Sequence, residues 1–230
     1  MTTENLMNLN LTYGTHESPE DGMCLMEAVA FMGGEEHSDH PVCACPVIAA
    51  YARNLNDQMG EGAEGDALRA KHLLPIAQKL IGTRSTPEVE RKRAFYFADR
   101  AVRLFAPLVL EAAGFTEEAE TLRSLPEIVG EQTARAADAA ASAAEAASAA
   151  SAAADAAYAA SAAEAAYAAY ADAAFAAFAA DAWAGRAAAG AAAWAGRAAA
   201  DAANVAEAAG WAQAAQVLAE ACETNLEGGE

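Results

Sequence analysis

Over the first 130 residues, apolar side chains come in short bursts at helical spacing. Leu25, Met26, Val29 and Met32 recur at three- and four-residue intervals, and Gly33-Gly34 stop the run. Ser18-Pro19-Glu20-Asp21 ahead of it reads as an N-cap, a proline at the first helical position and acids in the first turn. This predicts a helix that opens at Pro19. After a loop from Glu35 to Cys45, Pro46 can start a second helix, with Val47, Ile48, Tyr51, Ala52 and Leu55 on one face. GEGAEGD, Gly60 to Asp66, reads as a flexible connection whose Asp66 caps a short helix interrupted by Pro75. Thr86-Pro87-Glu88 repeats the start signal. The helix it opens runs through Phe95, Ala98, Val102 and Phe105 towards Pro107, and Gly114 ends it. Thr116-Glu117-Glu118 starts one more. No stretch alternates apolar and polar residues long enough for a strand, so the expected fold is all-α. Residues 1–130 should form a compact domain of five or six helices.

Residues 131–230 follow another pattern. From Ala134 to Ala203, 46 of 70 residues are alanine, the strongest helix former. Other residues recur every third or fourth position, from Asp138 and Ser142 through Tyr158 to Tyr170. A three-residue step turns 300° on an α-helix, so this stripe winds around the axis and marks no single wet face. An 11-residue repeat follows, WAGRAAAGAAA from Trp183 and WAGRAAADAAN from Trp194. Trp183, Trp194 and Val205 fall on one line, with Tyr167, Phe178, Gly185 and Gly196 on roughly the opposite one. A helix marked on two sides calls for two neighbours. The expected second domain is a long Ala-rich helical rod or hairpin. A membrane span is not expected, because the uncharged run between Arg186 and Arg197 is ten residues and spanning needs about 20.

The charge balance narrows the partners. Fourteen Lys and Arg against 33 Asp and Glu leave −19 on 230 residues. That argues against a nucleic-acid phosphate backbone and against an anionic membrane surface. The acidity is spread over both parts, with net −9 before residue 131 and −10 after it. Four cysteines are too few for a secreted disulfide scaffold, and the first residues show no secretory leader. A cytoplasmic location is expected.

Candidate chemistry is concentrated in GGEEHSDHPVCACP, Gly33 to Pro46. His37, His40, Cys43 and Cys45 lie within nine residues, and Cys24 is one helix away. These five are the candidate metal ligands, with zinc as the candidate ion. The spacing His-x2-His-x2-Cys-x-Cys is tighter than usual zinc motifs, and the plain alternative is two small hydrophobes and two surface histidines. Arg91, Lys92, Arg93, Arg100 and Arg103 gather on one helix beside Glu88, Glu90 and Asp99, where i,i+3 and i,i+4 pairing accounts for them.

DGMCLMEAV, Asp21 to Val29, resembles the nucleophile segment of OTU-type cysteine hydrolases. That resemblance implies Cys24 as nucleophile, with its thiol pKa lowered by a helix N-terminus. The family also requires a late general-base histidine, and here none follows His72. The block from Gly22 to Asp57, with LLPIAQKLIGT and AAGFTEEAETLRSLPEI, resembles a family of proteins of high-GC bacteria and their phages. In that family a helical head precedes an alanine-rich, tyrosine-spotted stretch of variable length. It has no assigned activity, so the resemblance implies a setting and carries over no functional residues. The alanine-rich part also resembles helical antifreeze proteins, which place a threonine in each 11-residue repeat. This chain has no threonine between Thr133 and Thr224.

The expected function is therefore that of a non-enzymatic structural or interaction protein, a homo-oligomer that self-associates through its Ala-rich helices. The alternatives are a metal-binding module at His37 to Cys45, a cysteine hydrolase using Cys24, and an ice-binding protein.

Overall fold

A computed structural model describes residues 9–112, 114–130, 132–137, 140 and 208–223. Among them there is no strand. The extended contact nearest to one is a single parallel bridge between Leu11 and Met23. The all-α expectation holds for these residues, and no helix among them is long and apolar enough to cross a membrane.

The helices are α1 (Leu25–Gly33), α2 (Pro46–Gln58), α3 (Gly62–His72), α4 (Ala77–Leu80), α5 (Pro87–Arg100), α6 (Ala106–Ala112), α7 (Thr116–Arg123) and α8 (Ala208–Glu223). Their ends largely follow the local chemistry. Thr86 accepts the Val89 N–H, and Pro87 fills the first helical position of α5. Gly34 closes α1 in the left-handed region, at φ 72°. Pro75 sits in a 3-10 turn, Leu74–Ile76, between α3 and α4.

Three boundaries differ from expectation. The Ser18-Pro19 signal opens only a 3-10 turn, Pro19–Asp21, and Ser18 spends its hydroxyl on Asp21 at 2.8 Å. Gly22, at φ 124°, then breaks the chain, and α1 starts later behind Cys24. Gly60 to Asp66 is mostly helix, because the fully buried Arg69 holds Gly60 O at 2.8 Å and Asp66 at 2.7 Å. Asp66 thus braces the helix from inside and does not cap it. Thirdly, α5 passes into α6 through one wide π-turn, Ala101–Phe105. Pro107 has no N–H and crowds the carbonyl one turn back, and the wider turn accommodates both.

One core joins these elements. α2 lies at its centre, packed on α1, α5 and α8. The face expected from sequence, Val47, Ile48, Tyr51, Ala52 and Leu55, is buried along its whole length. The Tyr51 ring stacks on Phe97 of α5, with centroids 4.4 Å apart and planes at 20°. Its hydroxyl donates to Ala214 O of α8 at 3.1 Å. Trp211, Ala214, Val217, Leu218 and Ala221 belong to the same core, and so do Ala134 and Ala137. The packing therefore draws on both sides of the boundary expected near residue 130. The alanine-rich repeat, with Trp183, Trp194, Gly185 and Gly196, lies outside the described residues.

Leu218 is fully buried within α8. Leu218→Ala is expected to destabilise the whole fold by roughly 2–5 kcal/mol. Ala212→Ser on the exposed side of the same helix should cost under about 0.5 kcal/mol. Urea midpoints of the two variants check this. An unchanged Leu218→Ala midpoint would show that α8 is not part of the folding unit.

Candidate functional site

The densest polar arrangement in the described core forms around the N-terminus of α1. Cys24 is its N-cap. The Glu27 N–H donates to Cys24 Sγ at 3.4 Å, and the Cys24 N–H donates to Glu27 Oε2 at 2.7 Å. This is a capping box with a thiol in the hydroxyl position. Glu27 is 1% exposed. Its carboxylate also accepts the His16 N–H at 2.7 Å and faces His16 Nδ1 at 2.8 Å. A carboxylate only accepts, so Nδ1 carries the His16 ring proton. Nε2 of the same ring lies 3.0 Å from the Thr12 hydroxyl oxygen. His37 Nε2 lies 3.0 Å from His16 O and 3.8 Å from Glu27 Oε1, while its Nδ1 is buried without a partner. Asn56 of α2 completes the frame, accepting Leu25 N–H and donating to Thr12 O, each at 3.1 Å.

Burial pushes Glu27 towards the protonated form. The His16 and Cys24 backbone N–H groups and the His16 ring outweigh it, and the carboxyl lies below its ordinary range. The same surroundings act oppositely on Cys24. Burial and the neighbouring Glu27 charge drive its thiol up to about 12. The sequence reading gave Cys24 a lowered pKa from the helix N-terminus. In the structure the backbone donors are present, but burial prevails over them. Cys24 serves there as a capping thiol whose pKa is raised, where the helix N-terminus alone would lower it.

The other candidate ligands are scattered. Exposed His40 pairs with Asp39 at 2.5 Å, and Arg53 steadies that turn by donating to Asp39 O at 2.8 Å. Cys43 sits beside Glu35, whose carboxylate accepts the Val42 and Cys43 N–H groups at 2.7 and 2.8 Å. Burial and the Glu35 carboxylate raise the Cys43 thiol. Cys45 is the fully buried N-cap residue of α2. Of the five expected ligands, Cys24 and His37 reach the Glu27 cluster, and each is already engaged there. Among the described residues no three His, Cys, Asp or Glu side chains are arranged to hold a metal ion. The five side chains are thus not gathered into one donor set.

Of the pairing expected along this helix, the structure shows the i,i+4 contact of Asp99 with Arg103, in the π-turn after α5. Asp99, 2% exposed, binds Arg103 at 2.9 Å and the Ile128 N–H at 3.0 Å. Arg93 is buried and donates to Thr83 O. Arg93 is thus turned inwards, whereas Lys92 is exposed and Arg91, Arg100 and Arg103 are half-buried.

His16, Glu27 and Thr12 were not candidates from sequence. The available signal was the Cys24-x-x-Glu27 spacing, a capping box once cysteine is admitted as the cap. No protein family, curated protein or solved structure matches the chain.

The arrangement can hold a proton and fasten residues 9–16 to α1. A carboxyl held below its ordinary range stabilises the fold above its unfolded pKa of about 4.3, and that stability is lost as pH falls through the folded value. Glu27→Gln is therefore expected to lower stability at pH 7 by roughly 2–3 kcal/mol. The gap to the unsubstituted protein should narrow on acidification below about pH 4. Urea midpoints from pH 7 to pH 3 measure both. A gap that stays constant would mean that the Glu27 charge is not what holds the loop.

Proposed function

We propose that this chain is a structural interaction protein that self-associates through its alanine-rich helices, with the head as their mount. The observation that carries the reading is the position of residues 132–137 and α8. The segment between them is joined at both ends to one core, through Ala134 and Ala137 on one side and Trp211 to Ala221 on the other. A chain that leaves and re-enters the same body has to reverse direction. Of the two forms expected from sequence, this favours the hairpin over the single rod. A hairpin presents two alanine surfaces together, and small side chains let helix axes approach more closely than the usual 8–10 Å. The aromatic lines of the 11-residue repeat then call for neighbours beyond the hairpin partner, which a second copy of the chain supplies.

The burial of Cys24 supports a binding role over cysteine hydrolysis. The unpaired state of Cys24, Cys43, Cys45 and Cys222 suits a reducing, cytoplasmic setting.

Residues 131–230 carry net −10, which opposes association, so the assembly should tighten as salt screens the repulsion. Light scattering of the full chain at tens of micromolar is expected to give a mass above the 23.5 kDa of one chain, and more so in high salt. Gly185→Leu and Gly196→Leu should lower that mass by overfilling the closest approaches. A single-chain mass at all concentrations and salt levels would end the proposal.

A further inference from the structure

Thr12, His16 and Glu27 stand in one line of side chains beside the start of α1. Glu27 Oε2 lies 2.8 Å from His16 Nδ1, and His16 Nε2 lies 3.0 Å from Thr12 Oγ1. Main-chain bonds fix the members of this line independently of it. The Thr12 N–H donates to Met23 O at 2.8 Å, and Asn56 donates to Thr12 O at 3.1 Å. The His16 N–H donates to Glu27 Oε1 at 2.7 Å. Thr12 Oγ1 also lies 3.4 Å from Met23 O. A hydroxyl has a single proton to give, and the shorter of its two contacts is to the ring nitrogen. Gly22 keeps one side of these two atoms clear. A Cβ there would press on Thr12 Oγ1 at 2.6 Å and on His16 Nε2 at 3.1 Å, and the φ of 124° favours glycine as well.

We propose that Thr12, His16 and Glu27 act as nucleophile, base and orienting carboxylate in the hydrolysis of small esters of uncharged carboxylic acids, with the acyl group passing through Thr12 Oγ1. The order of contacts is that of a hydroxyl activated by an imidazole, which a carboxylate holds in one tautomer. Thr12 Oγ1 attacks the ester carbonyl carbon as its proton passes to His16 Nε2. The bond to the leaving alcohol breaks, and Nε2 hands the proton to that alcohol oxygen, leaving acyl-Thr12. Water then attacks the acyl carbon and gives one proton to Nε2. The bond between Oγ1 and the acyl carbon breaks, the carboxylic acid leaves, and Oγ1 takes the proton back.

Glu27 suits the third position. Its carboxyl lies below its ordinary range, so it is ionised at neutral pH and steadies the imidazolium that forms at each transfer. The His16 side chain is 13% exposed, so the reacting atoms meet the surface over a small area, which suits a short acyl group. Glu17, Glu20 and Asp21 are exposed on the chain between His16 and Gly22, and they disfavour an anionic substrate. Cys24 takes no part in the line, since its sulfur accepts the Glu27 N–H. The site does not depend on the self-association proposed above, because all of its residues belong to the head.

The test uses the full chain and p-nitrophenyl acetate. Release of p-nitrophenolate is followed in time, and samples quenched in acid during the first turnover are mapped by peptide mass. The expected result is an initial burst followed by a slower steady rate, with acetyl on Thr12. Thr12→Val, which keeps the shape and loses the hydroxyl, and His16→Gln should each lower the steady rate by about 100-fold or more. Thr12→Ser should keep the burst. The same chain unfolded in urea should carry no acetyl on Thr12. A folded chain without acetyl on Thr12, acetylation of Thr12 that persists in urea, or a Thr12→Val rate equal to that of the unsubstituted chain would each overturn the proposal. The acetyl map of the unsubstituted chain decides this even if Thr12→Val fails to fold.

Discussion

Tyr51 is the residue through which three helices depend on one another. Its ring is fully buried against Phe97, so its hydroxyl needs an acceptor inside the protein. The acceptor is a main-chain carbonyl of α8, reachable because residue 214 is alanine. A helical carbonyl has a second lone pair, so the bond is made without breaking the helix. Without α8 the phenol is an unsatisfied donor in an apolar wall, at a cost of about 1–3 kcal/mol. The apolar side of α2 then loses its cover as well. The head is accordingly completed by residues that come after the alanine-rich segment, and its two ends share one stability.

A second constraint holds the parts of the head that are not helical. Four buried charged residues, Glu27, Arg69, Arg93 and Asp99, each bind main-chain groups of a loop or turn. A fold of short helices leaves many connecting peptides without ladder partners, and these charges supply them. Charge-assisted bonds to the backbone are among the stronger ones, which suits long single side chains reaching across a turn. Of the cations gathered on this stretch, which local pairing was expected to account for, Arg93 takes this internal role.

Much of the helical head was legible in sequence, and the reasons are local. Thr86-Pro87 and Pro46 set helix starts through geometry confined to one turn, and the α2 face follows from a 3.6-residue period. The failures come from partners far along the chain. Ser18-Pro19 has every local mark of a helix start, yet Gly22 and the Cys24–Glu27 box move that start downstream. Gly60 to Asp66 reads as flexible until Arg69 folds back over it. The Glu27 site was out of reach because His16 and Thr12 lie in an irregular stretch with no period to betray them. The expected zinc set failed differently. Proximity in sequence is not proximity in space: Cys24 caps α1, Cys45 stands at the N-cap of α2, and exposed His40 pairs with Asp39.

The cost of placing a long segment inside a folding unit helps to explain why the head tolerates one. Closing a flexible loop costs entropy only logarithmically with length, about 0.6 kcal/mol for each doubling. Lengthening an insertion of tens of residues thus changes little, while the contacts that close it, Trp211 to Ala221 on α2 and α5, stay the same. Length is free to vary where it is thermodynamically cheap, and the anchoring helix is where substitution is felt. The physical demand falls on α8, which must be apolar enough, through Trp211, Val217 and Leu218, to close the core.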